Sequence, residues 1–210
     1  HIHSRSANAK WLTEIAHKNP IWIHTKDAKR LGVDNGDLLK ITTEIGWFVD
    51  KVWVTEAIKP GVVACSHHIG RWRRQQDAGN RFMSNTVDIK NMGDGKWKME
   101  TVSGVEPWES NDPDTNRVWW RDGGVHQNIT HATNPDPISG AHCWLQKVSI
   151  SKPESGEKYG DVFVDTNKSF EHFKKWNAWA KDRETHPDGL RRPLWMGRPL
   201  TPQKEQFYIK

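Results

Sequence analysis

Between Gly32 and Ser66 three apolar runs are separated by tight turns, and this succession limits the fold more than any other feature. "DNGD" at 34–37 is a strong turn signal, because Asn-Gly tolerates the positive φ angles of tight turns. "LLKITT", "WFVDKVWV" and "GVVACS" follow as expected strands, joined at Ile45-Gly46 and Pro60-Gly61. Trp47 and Val49 alternate, Phe48 interrupts them, and Val52 and Val54 resume the pattern. Short strands with tight turns and one small helix among them predict a closed β-barrel rather than a doubly wound sheet.

Upstream, "SANAKWLTEIAHKNP" predicts a helix from about Asn8 to Lys18, capped by Ser6 or Asn8 and stopped by Asn19-Pro20. Trp11, Leu12, Ile15 and Ala16 form its apolar face. "IWIHT" follows as a short strand, and Thr25 is the expected cap of a small helix, "KDAKRL", that ends at Gly32. From Arg73 to Gly124 the chain turns polar and reads as an elaborated insertion, in which "KWKMETV" and "NRVWW" are candidates for a hairpin. "CWLQKVSIS" regains strand character and is expected to close the barrel. "SFEHFKKWNAWAKD" reads as a helix with Phe170, Phe173, Trp176 and Ala180 on or near one face. The proline-rich stretch after it reads as an extended arm. The expected organisation is a β domain over 1–152 with an insertion at 73–124. Residues 153–210 then form a helix and tail, not an independent domain.

What such a barrel holds is narrowed by composition. The net charge of +5 fits either a solvated basic surface or an anionic partner, the phosphates of a cofactor or nucleic acid. Thirteen tryptophans suggest flat surfaces stacked on rings or on other protein. Two cysteines, Cys65 and Cys143, cannot build a zinc-finger or disulfide framework, and two reduced thiols are expected. No run is long and apolar enough to enter a membrane directly, and no cleavable signal is visible. A chain that begins "HIHSRS" rather than with Met is expected to be a piece of a longer polypeptide.

Cys65, His67, His68, His142 and Cys143 are metal-ligand types, and Cys65 and His67 with His142 and Cys143 would suffice for a tetrahedral site. Adjacent histidines on a strand point to opposite faces, so a protein-only metal site is the weaker reading. No G-x-S-x-G elbow or separated Cys–His pair marks a nucleophile. Neither common glycine-rich nucleotide motif occurs. Anion and ring binding remain. In "SHHIGRW", Gly70 allows close backbone approach, His67, His68 and Arg71 offer hydrogen bonds, and Trp72 offers a flat face. "HIHSRS" places His3, Ser4, Arg5 and Ser6 at a helix start, where unpaired amides and the dipole favour phosphate. Capping plus surface charge would explain "HSRS" taken alone; two such loops on one small barrel strengthen the anion reading.

His-Ser-x-Ser before a helix, then "NPIWIH", "DAKRLGVDNGD", "TEIGWF", "IKPGVV" and "HHIGRW", occur in an order that resembles a known domain. It is the C-terminal molybdopterin-dinucleotide-binding domain of the dimethyl sulfoxide reductase family. "VHQNITHATNPDPISGAHCWLQKVSI" resembles the closing segment of that domain, so the likeness covers about 3–72 and 125–151. The resemblance implies a six-stranded double-psi β-barrel over a bis(molybdopterin guanine dinucleotide) cofactor, bis-MGD, carrying molybdenum or tungsten. By matching position it implies cofactor contacts from His3, Ser4, Arg5 and Ser6, with His67, His68, Gly70 and Arg71 lining the pterin. Asn128 matches a cofactor-contacting Asn. Gln146 and Lys147 are the nearest polar residues to a Lys that many relatives carry.

The metal ligand and any iron–sulfur cluster would lie in the missing part of the parent enzyme, leaving this 210-residue piece without turnover of its own. Expected partners are an electron-transfer iron–sulfur subunit and the remaining domains of the catalytic subunit. "SGAHCW" and the Trp-rich tail look most like the branch acting on sulfur compounds. The compartment, periplasmic, cell-envelope or cytoplasmic in a bacterium or archaeon, stays open. The competing reading is a non-enzymatic, basic, Trp-rich module binding nucleic acid or carbohydrate, for which "RWRRQQ" speaks. Acidic residues interspersed among the basic ones speak against nucleic acid.

Overall fold

Alternation on two neighbouring strands builds the core. The computed structural model describes residues 3, 12, 15, 18–67, 87–101, 124–136 and 141–181. Strand β1 (Ile21–His24) turns Ile21 and Ile23 fully into the interior. Trp22 stands between them on the other face, edge-on to Trp53 at 4.5 Å. Leu12 and Ile15 are helical, within the expected first helix.

Helix α1 (Thr25–Leu31) follows β1 directly. Its cap is His24, not Thr25: the His24 Nδ1 accepts the Lys26 N–H at 3.0 Å. Thr25 already lies in the first turn, and its hydroxyl donates to Glu56. Gly32 ends the helix with φ of 62°, a left-handed conformation that glycine adopts without a Cβ clash.

Strands β2 (Leu38–Thr42) and β3 (Gly46–Thr55) form an antiparallel hairpin. The second half of β3, Val52–Thr55, runs parallel to β1, and β4 (Val63–Ala64) pairs antiparallel with β1. A tight turn can only join antiparallel neighbours. The parallel β1/β3 pair is possible because α1 and β2 intervene and carry the chain back. Phe48 and Val52 face the core, whereas Trp47 and Val49 lie on the opposite face of β3. That face is covered too: Val49 is fully buried and Trp47 stacks on Phe163 at 5.9 Å. Phe48 therefore keeps the core phase, and the apparent interruption is the sign of a strand buried on both sides.

Strands β5 (Val87–Gly93) and β6 (Lys96–Thr101) form a second hairpin. A 3-10 turn spans Gln127–Thr130, and β7 (Ser149–Ser151), β8 (Val162–Asp165) and helix α2 (Thr166–Lys181) complete the described elements. The sheet runs β4-β1-β3-β8-β6-β5, with β2 bridging β3 to β7. The architecture is mainly β sheet with short helices. Two sequence expectations change. "KWKMET" pairs with Val87–Gly93 rather than with "NRVWW", which lies outside the described residues. β8, absent from the expected strands, sits between β3 and β6.

By compactness the chain forms two units, 1–131 with 147–167 and 132–146 with 168–210. The strands named above belong to the first. In the second, Pro135 and His142 form an antiparallel bridge, and the Trp176 Nε1 donates to the Pro135 carbonyl at 3.3 Å. Phe170 and Phe173 of α2 are exposed. Among the described residues no helix is long and apolar enough to cross a membrane.

Lys90 and Lys98 stand directly opposite each other across the second hairpin, a repulsive placement. Glu100 resolves it by accepting from both, with Lys98 at 2.9 Å, and these two hydrogen bonds hold its carboxyl down at about 2. A depressed carboxylate contributes stability above its unfolded pKa near 4.5 and loses it as the pH falls toward 2. Because the side chain is 31% exposed, the contribution is discounted to about 1 kcal/mol. Glu100→Gln should flatten the dependence of stability on pH between those limits, measured by urea titration; an unchanged acid limb would contradict the pairing.

Candidate functional site

Pro20 bars the first helix from continuing, and the residue before it is left inside the protein. Asn19 is 1% exposed and spends its whole amide on two distant segments. Its Nδ2 donates to the carbonyls of Ser66 and Val125, both at 2.9 Å, and its Oδ1 accepts the Val125 N–H at 2.7 Å. The Asn19 carbonyl in turn receives the Cys65 thiol at 3.0 Å. One buried side chain thus ties the segment after β4 to the segment entering the 3-10 turn.

The 3-10 turn adds two more amides. Gln127, 4% exposed, directs Nε2 to the Ser66 carbonyl at 3.4 Å and to Asn128 Oδ1 at 3.2 Å. Asn128 Nδ2 donates to the His67 carbonyl at 3.0 Å. The turn itself is pinned from below. Thr130 Oγ1 donates to the Gln127 carbonyl at 2.8 Å, and Thr43 Oγ1 donates to the Thr130 carbonyl at 2.7 Å. Consecutive carbonyls of Ser66 and His67 are therefore gripped by three carboxamides.

His3 joins this group from the other end of the sequence. Its ring meets His67 edge-on at 5.3 Å, with 69° between the planes. Burial, and secondarily the nearby His3, push the His67 imidazole below its ordinary pKa. His67 is accordingly neutral at pH near 7, with one ring nitrogen donating and one accepting.

Of the residues singled out in the sequence, His3, His67 and Asn128 come together here. Ser4, Arg5, Ser6, His68, Gly70 and Arg71 lie outside the described residues. Gln146, half-buried, belongs to the second unit, and Lys147 is exposed just ahead of β7. Sequence reasoning missed Asn19 and Gln127 as parts of the site. The Asn-Pro pair was read as a helix stop and as the start of "NPIWIH", and Gln127 as part of the closing segment, but neither was assigned a place in the site. Among the described residues no group of three or more His, Cys, Asp or Glu side chains could hold a metal ion.

Both cysteines are free thiols. Burial and the neighbouring Asp50 raise the Cys65 thiol well above its ordinary range, so little thiolate forms there. Melting temperatures with and without reductant should agree. Cys65 should resist iodoacetamide in the folded protein at about pH 8 and react once unfolded. Rapid alkylation of folded Cys65 would contradict the raised thiol.

Residues 1–96 match the family described as Molydopterin dinucleotide binding domain. The chain is 37% identical over 73 residues to the catalytic subunit of a putative dimethyl sulfoxide reductase from Halobacterium salinarum, covering 35% of this chain and 8% of that one. It is 34% identical over 68 residues to the molybdopterin-containing subunit of an arsenate respiratory reductase from Chrysiogenes arsenatis, covering 29% and 8%. A selenate reductase subunit from Mesobacillus selenatarsenatis is 37% identical over 83 residues, covering 33% and 8%. The chain thus spans less than a tenth of the length of these relatives.

Proposed function

We infer that this chain, whose residues 1–96 match the molydopterin dinucleotide binding domain, belongs to the dimethyl sulfoxide reductase family and holds the cofactor in the catalytic subunit of a molybdoenzyme. The family match over 1–96 is the observation that carries this reading, and it favours it over a Trp-rich module for nucleic acid or carbohydrate.

The donor set fits such a group. A pterin edge mixes donors and acceptors, and a neutral His67 imidazole offers one of each. The carboxamides of Asn19, Gln127 and Asn128 hold the backbone beside it, so little ordering remains to be done on binding. In this reading His3, Ser4, Arg5 and Ser6 hold phosphate at the helix start. His67, His68, Gly70 and Arg71 line the pterin. Asn128 joins them, and Gln146 and Lys147 are the candidates from the closing segment. The group would be bis-MGD with molybdenum or tungsten. When bound, it supplies two-electron redox chemistry at its metal. This chain's part is to orient it and shield it from water. The strands would close as a six-stranded double-psi barrel, a proposal supported by the parallel β1/β3 pair among antiparallel neighbours.

The parent enzyme would act on a sulfur compound or a related oxo substrate. The rest of the catalytic subunit would provide the metal ligand, and an iron–sulfur subunit would deliver electrons. Residues 1–210 alone would then have no viologen-linked turnover.

Mass spectrometry of the group released from the purified enzyme tests the reading. A guanine-dinucleotide pterin with molybdenum or tungsten is the expected result; its absence would overturn the proposal. His67→Ala should weaken retention of the metal by roughly 5- to 150-fold while leaving the melting of the cofactor-free protein unchanged. Full metal content in that variant would remove His67 from the contacts.

A further inference from the structure

We propose that Asn19 is a positioning residue for the cofactor loop, setting the direction of the Ser66–His67 peptide without itself reaching the ligand. The inference rests on the cofactor reading above and gives a role to a residue that stands in the motif "NPIWIH" without one. Three observations carry it. Asn19 is 1% exposed, with both hydrogens of its Nδ2 amide committed, to the Ser66 and Val125 carbonyls. The Ser66 carbonyl receives a second donor, Gln127 Nε2, at 3.4 Å. The Ser66–His67 peptide bond, like the others among the described residues, is trans.

Across a trans peptide the C=O and N–H point in opposite directions. Anchoring the Ser66 oxygen to Asn19 and Gln127 therefore turns the His67 N–H away from the clamp. With Asn128 fixing the His67 carbonyl as well, the His67 ring has a defined starting direction toward His3. Asn19 also couples the two halves of the site: Ser66 lies 47 residues away in sequence and Val125 lies 106. Order in the loop bearing His67 is thereby transmitted to the turn bearing Asn128. By reciprocity a ligand that orders one segment orders the other.

The test uses the whole purified enzyme. Asn19→Ser retains a small donor; Asn19→Ala retains none. Metal and guanine nucleotide content are measured per protein, together with amide hydrogen exchange in the cofactor-free protein and its melting. The positioning role predicts faster exchange confined to 64–67 and 124–128, at least a tenfold loss of cofactor retention in Asn19→Ala, and partial rescue in Asn19→Ser. Wild-type retention with wild-type exchange at 64–67 in Asn19→Ala would overturn it. Global unfolding of both variants would overturn it too, because Asn19 would then determine the fold rather than the loop. Absence of any guanine dinucleotide from the wild-type enzyme would instead refute the cofactor reading itself.

Discussion

Gly46→Ala is expected to destabilise the protein by about 3 kcal/mol or more, the upper range for forcing atoms into a packed interior. A Cβ at Gly46 would stand 2.1 Å from the carbonyl oxygen of Phe163, and 3.2 Å from the Cα of Val164. Both are backbone atoms of the paired strand β8, so no side-chain rotation relieves the clash. Gly46 is opposite Val164 in the β3/β8 register, and the Asp165 N–H donates to the Ile45 carbonyl at 2.8 Å. Separating the strands would loosen β6 as well, which pairs with the other edge of β8. Urea denaturation compares the variant with wild type. A loss under about 1 kcal/mol would mean that β3 and β8 part easily and that their contact does not organise the sheet.

Thr43→Val should cost about 2–4 kcal/mol although it conserves volume. The Thr43 hydroxyl donates to the Thr130 carbonyl at 2.7 Å and accepts the Gly46 N–H at 3.1 Å, in a site where Thr43 and Thr130 are both buried. Valine leaves a buried acceptor and a buried donor unsatisfied, at roughly 1–3 kcal/mol each. The cost reaches the site, since Thr130 closes the 3-10 turn that carries Gln127 and Asn128. Thr43→Val should therefore lose cofactor along with stability, and Thr43→Ser should keep most of both. Stability within about 0.5 kcal/mol of wild type in the valine variant would refute the role of the hydroxyl.

Much of the candidate site was legible because its residues sit in local motifs. His3 in "HIHSRS" and His67 in "SHHIGRW" were marked by residue type and by neighbours, and their rings do meet. Asn128 was marked by its place in the closing segment, and its amide does grip the His67 backbone. Asn19 and Gln127 stood inside quoted motifs but carried no sign of their role. A buried carboxamide acts through distant carbonyls, and nothing in its own neighbourhood reveals which carbonyls those are. The His24 cap was hidden for a related reason. Imidazole can accept as a hydroxyl does, while Thr25 beside it offered the commoner cap.

By itself the sequence determined the local elements near the start: β1, the glycine-closed α1, and the β2/β3 hairpin with its tight turn. Periodicity of apolar residues and turn chemistry act over a few residues, so they are written in a few residues. Only the tertiary structure decided the place of β8, the partner of β6 and the burial of both faces of β3. "VFVD" is four residues long, too short for alternation to distinguish it from a loop. Its pairing with Gly46–Phe48 joins segments more than a hundred residues apart. That choice depends on which backbone can approach a strand bearing no Cβ at Gly46, a steric fact that exists only once the two strands are side by side.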